Sequence, residues 1–352
     1  MTAEFLRQND NIKCVVKGTE RCYKGIAVLA GKEYPELYNV HEPFDPFSHV
    51  FILPESELLS EGGFVYLPEN VYITVDKIIE KEEDVLFDYD SGFKIESQEE
   101  FSLCDGAEYI LYHIKDKNNA PVEAFAFICD SSKVTFYAGT AEDDYKSSNS
   151  LATVENQARA AIKNGVNVIG ATNADFFDMF GDGHPSGMCA KNGRIIYRGP
   201  EDRPFFAIKK DGTPVITCDE TDVMHAVGGF YVLLKDGEFG DLAVCEPFGC
   251  NRHPRTAVGI CPDGKFIVLV VDGRIPAHSN GATLLDLALF FKKLGATEAL
   301  NLDGGGSSTF LVREGDGFNL LNTPADLVRP TEKLIRPIFN SVLIVKKWYL
   351  RR

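Results

Sequence analysis

The 352-residue sequence predicts an α+β fold: a mostly antiparallel or mixed sheet with few helices, preceded by a small β-rich module. Three observations predict it. Short apolar runs come in pairs around turn sequences, only two segments carry a helical stripe, and the first hundred residues read as short strands broken by turns. Runs 109–114 and 122–128 flank Asp116-Lys117-Asn118-Asn119, and runs 205–209 and 215–217 flank Lys210-Asp211-Gly212-Thr213. Runs 256–261 and 265–271 flank Pro262-Asp263-Gly264, whose Asp-Gly pair is a strong hairpin signal. Hairpins outnumber crossovers, and no internal repeat is evident.

The two helical stripes are Leu151, Val154, Ala158, Ala161 and Ile162, then Leu284, Leu287, Ala288, Phe291 and Leu294. Thr283 with Asp286 three residues on resembles a capping box for the second helix, and Gly295 ends it. Ahead of these elements, runs 12–16, 25–30, 50–53 and 71–75 are β-prone, with a Pro-rich loop around Pro43-Phe44-Asp45-Pro46-Phe47. The acidic stretch 80–83 and the polar run 96–100 follow. Residues 1–100 therefore read as a separate module without evident chemistry, and 101–352 as the functional domain.

Hydrophobic residues at 44% and charged residues at 25% are globular values. A net charge of -16 with scattered Lys and Arg argues against nucleic acid and against an anionic membrane surface, because either partner needs a basic face. One phosphate in a pocket stays compatible, since a single Arg can dominate locally. No apolar run approaches a membrane span. The polar start lacks the apolar core of a secretory signal, which favours the cytoplasm for the chain as it stands, or export if a signal was removed. The 9 cysteines contain no C-x-x-C and the 7 histidines show no metal-ligand spacing, so reduced thiols and no cofactor are expected, with a structural Mg²⁺ or Ca²⁺ left open.

Four segments interrupt the strand-and-turn rhythm with polar groups at strand ends. In Ala171-Thr172-Asn173-Ala174-Asp175-Phe176-Phe177-Asp178, Asn173 and Asp175 lie two apart and share one face of an extended chain. A strand end with an Asx turn fits equally well. A glycine-rich loop follows to His184-Pro185-Ser186-Gly187, a candidate pocket wall. Next, His253-Pro254-Arg255-Thr256 brings an Arg that could fork onto a phosphate or carboxylate, or pair with a surface Asp. Third, Val271-Asp272-Gly273-Arg274 ends an apolar strand in a carboxylate, with a local ion pair as the alternative. The fourth, Asn301-Leu302-Asp303-Gly304-Gly305-Gly306-Ser307-Ser308, is the most informative. Three glycines cost backbone entropy and contribute no packing, so they belong where a backbone turns tightly or approaches a ligand. A plain hairpin with a solvated Asp needs only one. The turn lacks a P-loop lysine and leads to a strand, but its amides could form an anion-binding nest.

Together these segments deliver carboxylates, one or two arginines and a donor-rich turn to strand ends. Glycoside cleavage uses such parts: a proton donor, a carboxylate facing the oxocarbenium centre, and a subsite for an anionic leaving group.

The region from about Glu108 onward resembles the phosphodiester glycosidase family. The resemblance rests on Asn173-Ala174-x-Phe176-Phe177, Gly187, Arg255-Thr256-Ala257-x-Gly259, Asp272-Gly273 and Gly281. It continues through Asn301-Leu302-Asp303-Gly304-Gly305-Gly306-Ser307-x-Thr309-Phe310 and Arg336-Pro337…Ser341. It implies hydrolysis of a glycosyl phosphodiester, such as a GlcNAc-1-phosphodiester or a microbial glycan phosphodiester, to a free sugar and a phosphomonoester. Asn173, Arg255, Asp272, Asp303 and the Gly304–Ser307 turn would form the pocket. Asp175 stands where the family pattern leads one to expect a small residue. On this reading Asp303 faces the anomeric carbon and Asp272 or Asp175 is its acid–base partner. Arg255, Arg274 and the glycine-turn amides hold the phosphate, with Thr256, Asn301, His184 and Gly187 lining the substrate. Two rivals are a glycan- or sugar-phosphate-binding protein without catalysis, and a phosphodiesterase that cuts at phosphorus. The sequence leaves sugar, aglycone, stereochemical course and oligomeric state open.

Overall fold

The computed structural model describes residues 2–8, 11–17, 22–29, 51–53, 64–67, 71–80, 93–116, 118–148, 150–240, 242, 247–329 and 332–347. Two units divide the chain: Met1–Tyr89 with Val244–Cys250, and Asp90–Ala243 with Asn251–Arg352. The smaller unit holds a six-stranded sheet in the order Phe51–Leu53, Cys22–Leu29, Asn11–Lys17, Thr2–Gln8, Val71–Glu80, Phe64–Leu67. Two of its pairings are parallel, Thr2–Gln8 with Val71–Glu80 and Cys22–Leu29 with Phe51–Leu53. The four β-prone runs of this region fall on these strands. The loop around Pro43 and residues 81–92 lie outside the described residues.

The larger unit is built on antiparallel sheets with few helices. Eight strands run in the order Glu238–Phe239, Val232–Lys235, Glu298–Asn301, Arg255–Ile260, Lys265–Val271, Pro121–Asp130, Ala107–Asp116, Phe93–Cys104. The polar run 96–100 lies in that last strand, an edge strand exposed along most of its length. A second sheet orders Val134–Thr140, Asn340–Lys346, Val168–Asn173, Phe310–Glu314, Gly317–Leu320; a third orders Arg194–Tyr197, Cys189–Lys191, Val223–Gly228, Phe205–Lys209, Pro214–Thr217. All three predicted hairpins form.

Phenyl rings join the three sheets. Phe127 of the first stacks on Phe310 of the second at 4.0 Å, Phe136 of the second stacks on Phe206 of the third at 4.8 Å, and Phe206 meets Phe266 of the first at 5.9 Å. These side chains are buried in one cluster with Val268, Leu300 and Val342, and burying several aromatic rings is a dominant stabilising contribution.

Both predicted helices are present. The first, Val154–Lys163, presents Val154, Ala158 and Ala161 to Val168, Ala171 and Leu343 of the second sheet. Thr153 caps it, so Leu151 precedes the helix and is exposed. The second helix spans Leu284–Lys293 with the predicted Thr283–Asp286 capping box, and Phe290 meets Tyr112 edge-on at 5.0 Å. Cys129 and Cys189 are buried thiols.

Candidate active site

The triple-glycine segment is a bridge rather than a hairpin. The strand before it, Glu298–Asn301, belongs to the eight-stranded sheet, and the strand after it, Phe310–Glu314, to the second sheet. Between them Gly305–Ser307 makes a short 3₁₀ turn. Asn173 fixes the crossing point: its Nδ2 donates to the Asp303 carbonyl at 2.6 Å, and its Oδ1 accepts from Thr256 Oγ1 at 2.7 Å and Thr309 N at 3.1 Å. Asp303 N donates in turn to the Ala174 carbonyl at 2.9 Å. Segments far apart in the chain therefore meet at one point. Asn173 and Thr256 make that joint.

Three amides of the turn bond within the protein. Gly304 N donates to Asp303 Oδ1 at 2.8 Å, Gly305 N to the Pro254 carbonyl at 2.8 Å, and Ser307 N to the Gly304 carbonyl at 3.1 Å. The glycines also permit close packing. Gly306 lies so tightly on the Asp326 carboxylate that a Cβ has no room.

The three candidate carboxylates differ sharply. Asp272 is 1% exposed, with Oδ1 accepting from Asn322 Nδ2 at 3.0 Å and Oδ2 from Thr323 N at 2.7 Å and His278 Nε2 at 2.9 Å. These bonds tie Asp272 to the loops at 278 and 322–323. Asp175 is equally buried, but only Oδ2 has a hydrogen bond, from Gly187 N at 2.7 Å; among the described residues Oδ1 has none. Burial pushes its carboxyl up to about 7, with Asp303 adding to the rise and Arg203 and the Gly187 amide opposing it. Asp303 is half-buried, and desolvation pushes its carboxyl up to about 6 against Ser307, the Gly304 amide, Arg336 and Arg274. Gly187 faces Gly228 here; a Cβ on Gly228 would lie 2.5 Å from Asp175 Oδ2, so the glycine pair lets two backbones close on the carboxylate.

The cations are also redistributed. Arg255 is 2% exposed, and its Nε and Nη2 each donate at 3.0 Å to the Ala282 and Asn251 carbonyls, so it ties loops together. Arg274 is exposed at a left-handed φ of 61°, with its guanidinium over Gly305, where a Cβ would lie 3.1 Å from Nη2. Two arginines missing from the expected set complete the cluster. Arg336 Nη1 donates to Ser307 Oγ at 3.2 Å while Nε donates to Asp326 at 2.9 Å. Arg203 Nη2 lies 3.7 Å from Asp175 Oδ1. Asn301 turns Nδ2 onto the Leu302 carbonyl at 2.8 Å and is fully buried. His184 sits in the loop beyond, paired with Asp182 and grouped with Asp178.

A family model described as phosphodiester glycosidase matches residues 166–345, just over half of the chain. The chain belongs to the phosphodiester glycosidase family. The N-acetylglucosamine-1-phosphodiester alpha-N-acetylglucosaminidase of Bos taurus is 31% identical over 187 residues, which are 46% of this chain and 33% of that protein. The Homo sapiens protein of the same name is 28% identical over 187 residues, 46% of this chain and 34% of its own. This chain thus spans about a third of the length of these curated relatives. Among solved structures, the zebrafish catalytic domain of that name is similar with a TM-score of 0.57 and 23% identity, covering 72% of this chain and 89% of that one. A Synechocystis protein has a TM-score of 0.55 at 13% identity, covering 71% of this chain and 64% of that one. At these identities the structural likeness is one of fold.

Every member of the cluster, from Asn173 and Asp175 through Arg203, Asp303 and Arg336, lies inside the segment matched to the phosphodiester glycosidase family. Arg336 was visible as part of the Arg336-Pro337 motif and Ser307 as part of the glycine turn, but spacing did not show that the two meet. Arg203, a single Arg before Pro204, carries no signal of its own.

Proposed function

We propose that the chain hydrolyses a glycosyl phosphodiester at the sugar side, releasing a free sugar and a phosphomonoester. One observation carries this reading: two carboxyls with pKa raised to about 6 and about 7, Asp303 and Asp175, interact electrostatically within a cluster that also holds Arg274, Arg336 and Arg203. Near neutral pH such a pair holds roughly one proton between them. In this reading Asp175 carries the proton and Asp303 the negative charge. As the C1–O bond breaks, its electron pair goes to the phosphate oxygen, which Asp175 can protonate. Asp303 stabilises positive charge growing at C1, and a water oxygen then bonds to C1 and gives up a proton to a carboxylate. Arg274 and Arg336 beside Asp303 offset the phosphate charge. Phosphate is a good leaving group, so positioning and charge matter more than acid strength.

The curated relatives bear the name of an N-acetylglucosamine-1-phosphodiester glycosidase, which makes a GlcNAc-1-phosphodiester the first substrate to test; a microbial glycan phosphodiester is the natural alternative. Turnover in ¹⁸O-labelled water is the decisive experiment. Label in the sugar hydroxyl supports the proposal, and label in the phosphate assigns cleavage to phosphorus. Tight binding of sugar phosphate with no product leaves a binding protein.

A further inference from the structure

The arginine beside Asp175 is set apart from the other cations by its surroundings. Arg203 Nε donates to the Gly229 carbonyl at 2.8 Å, and among the described residues its terminal nitrogens have no hydrogen-bond acceptor. The guanidinium lies in a V of two phenyl rings, with Cζ 4.8 Å from the centroid of Phe230 and 5.6 Å from that of Phe176. The rings themselves meet nearly edge to face at 6.3 Å. Phe230 is 47% exposed, an unusual state for a ring next to a 1% exposed carboxylate. Its amide is fixed to the Asn301 carbonyl at 3.0 Å, two residues before Asp303.

A group of forked donors, a half-exposed ring and a buried carboxylate oxygen without a hydrogen bond among the described residues match the surface of a pyranose ring. A sugar offers neutral acceptor oxygens to the guanidinium. It also offers a C–H face to the negative face of an aromatic ring and leaves its anomeric edge for the carboxylates. A phosphate at this point would face Asp175 with one arginine to compensate, whereas Arg274 and Arg336 flank Asp303. We infer that Arg203 and Phe230 form the sugar subsite, with Phe176 behind them, so that the glycone rests on Arg203 and Phe230 with its anomeric edge turned to Asp303 and Asp175, and the phosphate lies toward Arg274 and Arg336.

This inference rests on the hydrolase reading for its orientation but can fail separately from it. The test measures binding of neutral and anionic probes to the full chain by calorimetry: a panel of methyl α-glycosides of N-acetylglucosamine, N-acetylgalactosamine, glucose and galactose, and inorganic phosphate alone. Phe230→Ala and Arg203→Met should each weaken the best glycoside by about tenfold or more while changing phosphate affinity by less than about twofold. KM for a phosphodiester should rise in parallel. If no glycoside binds the unmodified protein, or either folded variant keeps its glycoside affinity, the subsite is wrong. Loss of phosphate binding in Arg203→Met with glycoside binding intact would move the phosphate to Arg203. Should Arg203→Met fail to fold, Phe230→Ala, at a half-exposed position, decides alone. Variant-sensitive glycoside binding without any turnover keeps the subsite and removes the hydrolase reading. Turnover with variant-insensitive glycoside binding does the reverse.

Discussion

Two strand ends in the larger unit look alike in the sequence and differ in the fold. Lys265–Val271 runs into Asp272-Gly273, and Glu298–Asn301 runs through Leu302 into Asp303-Gly304. Each places a carboxylate at the end of an apolar strand before glycine. Asp272 receives three donors from the loops at 278 and 322–323, whereas Asp303 is shared among the Gly304 amide, Ser307 and two arginines and keeps a pKa of about 6. Asp272 ties its loops to a strand end through these three bonds. Asp303, raised by desolvation despite its donors and beside the second raised carboxyl of Asp175, can move a proton. The surroundings of each carboxylate, and not its position on a strand, set the two apart.

The largest expected effect follows on the chemical side of this contrast. Asp303→Asn should lower turnover of a GlcNAc-1-phosphodiester by roughly 10³-fold or more with thermal stability nearly unchanged. An active Asp303→Asn would erase the distinction between the two carboxylates. On the structural side, Asp272→Ala strands the buried amide of Asn322 and the Thr323 N–H and should cost about 3 kcal/mol in denaturant unfolding. A smaller loss would mean that water replaces the carboxylate.

The pair of raised carboxyls gives a pH signature. Activity should rise through about pH 6 as Asp303 ionises and fall through about pH 7 as Asp175 loses its proton, and Asp175→Asn should remove the alkaline limb from whatever activity remains. Stability carries the opposite sign from the usual acidic group. Between the ordinary Asp value near 4 and about 7, folded Asp175 holds a proton that the unfolded chain has released, so its contribution to stability is lost as pH rises through that window. Asp175→Asn should therefore raise the melting temperature at pH 8 more than at pH 5. The smallest effect is expected of Arg255→Lys, which exchanges a fork onto two carbonyls for a single point charge: slightly lower stability, with phosphate affinity unchanged.

Much of the frame was legible in the residues. Asp-Gly and Asn-rich turns gave the hairpins, and Thr283 with Asp286 gave a helix start that forms as expected. The positions where Asn173, Asp175 and Asp303 gather were also marked, because strand ends followed by glycine or aromatic residues are recognisable locally. What local pattern cannot encode is which sheet a strand joins and where a long side chain turns. The three glycines argue against a plain hairpin, but that they join two sheets is seen only when Phe310 stacks on Phe127 of another sheet. Arg255 reads as an anion ligand until its guanidinium is found on two carbonyls. Arg203, with no motif around it, enters only because Phe176 and Phe230 come together in space.

The central claim is that Asp175 and Asp303 titrate together, near neutrality. Carbon-13 NMR of carboxyl-labelled aspartates across pH 3–9 tests it without any substrate. The account predicts two coupled transitions near pH 6 and 7, with Asp175→Asn shifting the remaining one down and Asp272→Asn leaving both in place in the folded protein. Transitions of both carboxyls near pH 4, insensitive to one another, would contradict it.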